Sequence, residues 1–118
     1  MPNLQVAVAR LAVACRSAGR VAILGDFDVD GITATTILTE GLSALGASPL
    51  PYIPDRFTEG YGPNVGAMQA LHARGATVLV TADCGTSAVR EVAAANELGM
   101  DVIVIDHHTV PEELPDAL

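Results

Sequence analysis

Apolar residues at Leu4, Val8, Leu11 and Cys15 recur at helical spacing, and Gly19 stands where a left-handed C-terminal cap would fall. The next run, Val21 to Leu24, is short and apolar at every position, which predicts a strand buried on both faces of a parallel sheet. A polar loop begins at Gly25. Ile37, Leu38, Leu42 and Leu45 form the stripe of a second helix, expected from Ile32 to Leu45 and ended by Gly46, and a second strand is expected over Leu50 to Ile53. The segment Pro54 to Gly62 is polar and rich in turn formers. Pro63 is suited to the first position of a third helix, which should run to about Arg74 with Gly75 as its cap. A strand at Thr77 to Thr81, a helix from about Thr86 to Leu98 closed by Gly99, and a strand at Val102 to Ile105 complete the pattern.

The resulting order, αβαβαβαβ, predicts an α/β fold: a parallel sheet of about four strands, right-handed crossovers, and helices on both faces in Rossmann-like layers. A length of 118 residues suits a single domain over residues 1–118 with one continuous core. Half of the residues are apolar, yet no uninterrupted apolar stretch approaches the roughly 18 to 20 residues that cross a bilayer. No membrane association is therefore expected. The first residues carry no basic segment followed by an apolar core, so no secretory signal is read and a cytoplasmic location is expected. Cys15 and Cys84 are too few for a disulfide framework and are expected as reduced thiols.

Charge changes this picture. Fourteen Asp and Glu face six Arg and no Lys, a net charge of −8, whereas binding by counterion release needs a basic surface. The deficit is reconciled if carboxylates are gathered to hold divalent cations, which invert the local field and draw phosphate in.

In open α/β sheets ligands collect beyond the carboxyl ends of the strands. There the chain carries Asp26, Asp28 and Asp30 after the first strand, Asp83 after the third, and Asp106, His107 and His108 after the fourth. Five aspartates and two histidines on one sheet edge would repel and resist desolvation without a cation, and hard divalent metals favour oxygen ligands with some imidazole. A divalent metal site, in all expectation binuclear, follows. A single aspartate after a strand is more often a turn or cap residue. Asp26, Asp28, Asp30 and Gly31 also resemble the start of a calcium-binding EF-hand loop, but its twelfth position is Ile37 rather than Glu. A haloacid-dehalogenase-like phosphatase would commonly need a downstream lysine, and the chain has none. His72, on a predicted helix away from these loops, is read as a surface or packing residue, and Cys84 as a small residue packed beside Asp83.

The motifs DFDVDG, IPDRFTEGYG, TADCGT and IDHH, in this order and spacing, resemble those of the DHH phosphoesterase superfamily, and its RecJ-type branch most closely. The similarity runs from the first helix to the PEELP segment. It implies that Asp28 and Asp30 are metal-binding aspartates, Asp83 a bridging carboxylate, His107 a further ligand and His108 a phosphate contact, with Arg56 also facing phosphate or nearby carboxylates. Several relatives, the manganese pyrophosphatases among them, have a ligand histidine where this chain has Leu24, and Asp26 is expected to take part of its place. The implied activity is hydrolysis of single-stranded DNA from its 5′ end with two Mn²⁺ or Mg²⁺ ions. Oligoribonucleotide and cyclic-dinucleotide phosphodiesterases share this site chemistry. No protein partner is inferred. The family also has a later aspartate and a second domain that these residues do not include, so the chain by itself is expected to be an incomplete catalytic domain, inactive or limited to binding.

Overall fold

The computed structural model describes residues 3–118. Its elements are α1 (Leu4–Arg16), β1 (Arg20–Gly25), α2 (Val29–Ala44), β2 (Ser48–Tyr52), α3 (Val65–Ala73), β3 (Val78–Ala82), α4 (Val89–Glu97) and β4 (Asp101–Ile105). All strand pairs are parallel and the order across the sheet is β2-β1-β3-β4. The chain moves outward from β1 to β2, then crosses back to place β3 on the other side of β1. The reversal lies between β1 and β3, and at such a point the connecting loops diverge and leave a crevice at the carboxyl edge.

Alternation along the strands divides the core in two. Val21, Ile23, Val78, Val80 and Ile103 face Ala14 of α1 and Leu42 of α2, with Leu11 and Leu38 packed alongside. Ala22, Leu24, Leu79 and Val102 face Ala67, Met68 and Leu71 of α3 and Val92 and Ala95 of α4. Both faces of the sheet are thus covered, which is why Val21 to Leu24 of β1 and Val78 to Val80 of β3 are apolar without interruption. Burying one such aliphatic side chain stabilises the fold by roughly 1.5–3 kcal/mol.

Several boundaries differ from those expected, each for a local reason. The left-handed residue after α1 is Ala18 (φ 51°) rather than Gly19, whose amide closes the turn on the Ala14 carbonyl at 2.7 Å. Helix α2 starts three residues early because Asp28 caps it, Oδ1 accepting from the Gly31 amide at 2.9 Å. Pro63 does not open α3: Asn64 is the cap, its Oδ1 accepting from the Ala67 amide at 2.8 Å, and Pro63 precedes it. Helix α4 starts at Val89, later than expected, because Thr86 is turned toward Asp106. Gly46, Gly75 and Gly99 do adopt the left-handed conformation that ends their helices.

Candidate metal centre

Gly25, Ala82 and Ile105 are register partners across β1, β3 and β4, and the next residue of each strand is an aspartate. Asp26, Asp83 and Asp106 therefore stand side by side, on strands about 4.8 Å apart. The ladder runs one step into this row: the Asp26 amide donates to the Ala82 carbonyl at 3.3 Å and the Asp83 amide to the Ile105 carbonyl at 2.9 Å. Beyond it the backbone turns sharply, with Asp83 at φ 63° and Gly85 at φ 109°. A Cβ on Gly85 would lie 2.5 Å from Thr81 Oγ1, so glycine is required there for space as well as for φ.

Two groups of potential ligand atoms lie within 4.8 Å of one another: Asp26, Asp28 and Asp83, and Asp83, His107 and His108. Asp83 belongs to both. Its buried Oδ1 has no hydrogen-bond partner among the described residues. His107 Nε2 approaches that oxygen to 2.8 Å without the alignment of a hydrogen bond. A nitrogen lone pair this close to a buried carboxylate oxygen that has no hydrogen-bond partner fits a shared cation, and the remaining donors are the carboxylate oxygens a hard divalent ion takes. Burial, with the Asp28 charge second, pushes the Asp83 carboxyl above its ordinary range against the opposing pull of His107.

Asp26 is buried and its Oδ1 accepts from the Phe27 amide at 2.7 Å, while Asp28 spends Oδ1 on the Gly31 amide at 2.9 Å. The α2 N-terminus presses directly on Asp26: a Cβ at Gly31 would lie 2.3 Å from the Asp26 carbonyl oxygen. Asp30 falls in neither ligand group. It is exposed on the first turn of α2 and lines, with Ala34, Asp83, Ile105, Asp106 and His107, a hollow of about 390 Å³. Leu24 is fully buried in the core beneath.

Sequence reasoning counted Asp106 in the cluster but gave it no role, and missed Thr86 altogether. Asp106 Oδ2 accepts from the Thr86 amide (3.0 Å) and hydroxyl (2.7 Å), while Oδ1 accepts from the His107 and His108 amides (2.8 and 3.2 Å) and lies 2.6 Å from His108 Nδ1. Burial alone would raise this carboxyl, but the bonds from Thr86 and His108 outweigh it and hold Asp106 well below the usual carboxylate range. Having no proton to give, Asp106 accepts the hydrogen bond that His108 Nδ1–H donates, which raises the His108 pKa and leaves Nε2 as the nitrogen not engaged by Asp106.

Arg56 is exposed and forms no ion pair among the described residues; its guanidinium lies over the Phe27 ring, 5.1 Å from the centroid. Phe27 meets Tyr61 edge-on at 6.4 Å, and Tyr61 meets His108 edge-on at 6.3 Å. Burial and the nearby Asp26 push the Tyr61 hydroxyl up to about 12. Cys84 is packed away under the cluster, its Sγ 3.8 Å from the Leu24 carbonyl oxygen, and burial pushes its thiol up to about 12. It is a packing residue. His72 is exposed on α3, away from these loops.

Comparison with known proteins agrees with this fold. Residues 20–118 match the model of the DHH family, N-terminal domain. The chain is 43% identical over 116 residues to the single-stranded-DNA-specific exonuclease RecJ of Bacillus subtilis, covering 98% of this chain and 15% of that protein. It is 40% identical over 118 residues to the RecJ of Thermus thermophilus, covering 100% of this chain and 18% of that one. The chain thus spans less than a fifth of the length of these relatives. Among solved structures, an exonuclease RecJ bound to manganese superposes with a TM-score of 0.91 at 40% identity, over 100% of this chain and 30% of the other. Thermus thermophilus RecJ in complex with Mn²⁺ superposes with a TM-score of 0.83 at 36% identity, over 100% and 16%. With the family model matching 99 residues of the α/β sheet and its aspartate row, the chain belongs to the DHH family.

Proposed function

We propose that this chain is the N-terminal, metal-holding part of a phosphodiesterase that removes nucleotides from the 5′ end of single-stranded DNA, using two Mn²⁺ or Mg²⁺ ions. The observation that carries the reading is Asp83, which is common to both groups of ligand atoms and whose buried Oδ1, without a hydrogen-bond partner among the described residues, lies 2.8 Å from His107 Nε2. Asp26, Asp28 and Asp83 would hold one ion, Asp83 and His107 the other, with Asp83 as the bridge; Asp30 would serve from the hollow's wall. When bound, the ions would acidify a water molecule and offset charge on the scissile phosphate. His108 presents Nε2 toward that phosphate because Asp106 fixes Nδ1 as donor. Arg56 adds the cation for a neighbouring phosphate, its charge braced on Phe27.

The single-stranded-DNA substrate is supported by the names of the relatives at about 40% identity across the whole chain. No helix among the described residues is long and apolar enough to cross a membrane. A cytoplasmic location is proposed from the single-stranded-DNA-specific exonucleases that the chain resembles. The test is hydrolysis of 5′-labelled single-stranded DNA with Mn²⁺ by the protein that contains this chain. We expect release from the 5′ end and poor cleavage of pyrophosphate, oligoribonucleotides and cyclic dinucleotides. Efficient turnover of any of these three with DNA left intact would overturn the assignment.

A further inference from the structure

The segment between β2 and α3, residues 53–64, reaches over the carboxyl edge of the sheet without helix or strand of its own. It nonetheless delivers two side chains to defined places, Arg56 over Phe27 and Tyr61 edge-on to His108. Glycines at 60 and 62, both with positive φ (82° and 75°), leave its backbone free to turn but supply no force that selects one path. A chain this irregular needs internal bonds to stay in one conformation.

Those bonds converge on one carboxylate. Glu59 Oε1 accepts from the Tyr52 hydroxyl, at the end of β2, and from Asn64 Nδ2, the cap of α3, at 3.2 Å. Glu59 Oε2 accepts from the Asp55 amide at 2.8 Å, while the Glu59 amide returns a bond to the Asp55 carbonyl at 2.8 Å. Asp55 in turn receives the Phe57 and Thr58 amides on Oδ1 at 2.8 and 3.2 Å, so the turn that carries Arg56 is closed from both sides. Glu59 is thereby tied to the strand before the segment, the helix after it and the turn within it. The Tyr52 bond holds the Glu59 carboxyl below its ordinary value, and the Tyr52 hydroxyl rises to about 12.

Among the described residues no hydrogen bond or ion pair joins Glu59 to the metal cluster; the side-chain partners of its carboxylate are Tyr52 and Asn64, and its backbone partner is the Asp55 amide. We propose that Glu59 is a positioning residue: its carboxylate latches the β2–α3 segment so that Tyr61 buttresses the His108 ring and Arg56 stays over Phe27. The inference deepens the function proposed above and rests on it for the step from position to rate. Tyr61 limits the outward swing of the imidazole, while Asp106 sets its hydrogen bonds from below. Without the latch, His108 would keep its partner Asp106 but lose the wall that aims Nε2.

The test compares Glu59→Ala, Glu59→Gln and Tyr52→Phe with the parent protein. Aromatic-labelled NMR reads the Tyr61–His108 contact directly, with Leu79 and Val80 methyl shifts as the control for folding. We expect Glu59→Ala to lose that contact while the core methyls and the manganese affinity stay within twofold of the parent. In single-stranded-DNA hydrolysis, kcat should fall by roughly 10- to 100-fold, the scale of a misplaced catalytic group. Glu59→Gln, which keeps one accepting oxygen, should recover most of both signals, and Tyr52→Phe should lie between. A Tyr61–His108 contact unchanged in Glu59→Ala would overturn the latch, as would loss of the contact with kcat unaltered. So would a joint loss of core shifts and manganese affinity, which marks a general structural role. If the parent hydrolyses no phosphodiester at all, the functional reading fails instead, and the NMR comparison still decides whether Glu59 holds the segment.

Discussion

Replacing Asp83 by asparagine removes one negative charge from the point where both ligand groups meet, with almost no change in volume. Ligand atoms of Asp26 and Asp28 lie within 4.8 Å of Asp83, and two unit charges at that separation repel by roughly 3 kcal/mol at an effective dielectric of about 20. Asp28 is exposed and water screens much of this, so the net relief in metal-free protein should be about 1 kcal/mol. For a domain of this size that raises the melting temperature by about 4 °C. The sign follows from Asp83 itself, whose carboxyl is raised above its ordinary value of 3.8 by burial and by Asp28. The native state then holds that proton more tightly than the unfolded chain, so the stabilisation is full below the unfolded pKa and is lost as pH rises through the folded one. The advantage of Asp83→Asn should accordingly vanish in acid and grow toward neutrality. Manganese should reverse the ranking: the parent gains stability from the ion, whereas the variant binds it roughly 100-fold or more weakly. Thermal melts of both proteins, in chelator and in Mn²⁺ across pH 3 to 8 (~5 units, spanning the ordinary carboxylate range), measure all of this. A variant less stable than the parent in chelator at neutral pH, or one stabilised equally by Mn²⁺, would refute the placing of Asp83 at a strained, shared ligand position.

The two histidines should separate: His107→Ala is expected to weaken manganese affinity, while His108→Ala lowers kcat with manganese still bound, as isothermal titration and single-turnover kinetics would reveal. The opposite pattern would mean that their roles are exchanged. Gly31→Ala puts a methyl group 2.3–2.6 Å from three backbone atoms of Asp26, a clash costing about 1–3 kcal/mol that the better helix propensity of alanine offsets only in part. Urea denaturation should show a net loss of roughly 1–2 kcal/mol, with manganese affinity falling too because Asp26 must move; parental values of both would remove the close packing of α2 on the site.

Periodicity alone indicated the parallel sheet because β1 from Val21 to Leu24 and β3 from Val78 to Val80 are continuously apolar and buried, the pattern of strands covered on both faces. It also delivered the site's address, since Gly25-Asp26, Ala82-Asp83 and Ile105-Asp106 each follow a strand. What it could not deliver was the register that puts those three residues in one row, because register is fixed by the packing of all four strands rather than by any one of them. Asp30 and Asp28 illustrate the same limit at closer range. The triplet spacing makes Asp26, Asp28 and Asp30 look equivalent, yet α2 begins between them; Asp28 becomes its cap and Asp30 is carried outward on its first turn. The role of Asp106 was hidden for a different reason: its partners are two backbone amides, a histidine and a threonine twenty residues earlier, a set with no sequence signature.

The acidic balance of the chain acquires a physical meaning once the arginines are located. Arg10 pairs with Asp101 at the start of β4, Arg20 donates to the Arg74 carbonyl ahead of β3, and Arg16 ends α1 just before β1. Four of the six arginines thus lie at the edge of the sheet where the strands begin, opposite the aspartate row. Near that row stand Arg56 on the β2–α3 segment and Arg90 on the first turn of α4, against Asp26, Asp28, Asp30, Asp83 and Asp106. The bare edge therefore repels a phosphate, and two divalent ions would bring four positive charges to the same place, close to the five negative ones. On this account the metal would be a condition for the anion's approach, and of the two arginines near the row Arg56 is the one that lies over an aromatic ring, that of Phe27, 5.1 Å from its centroid.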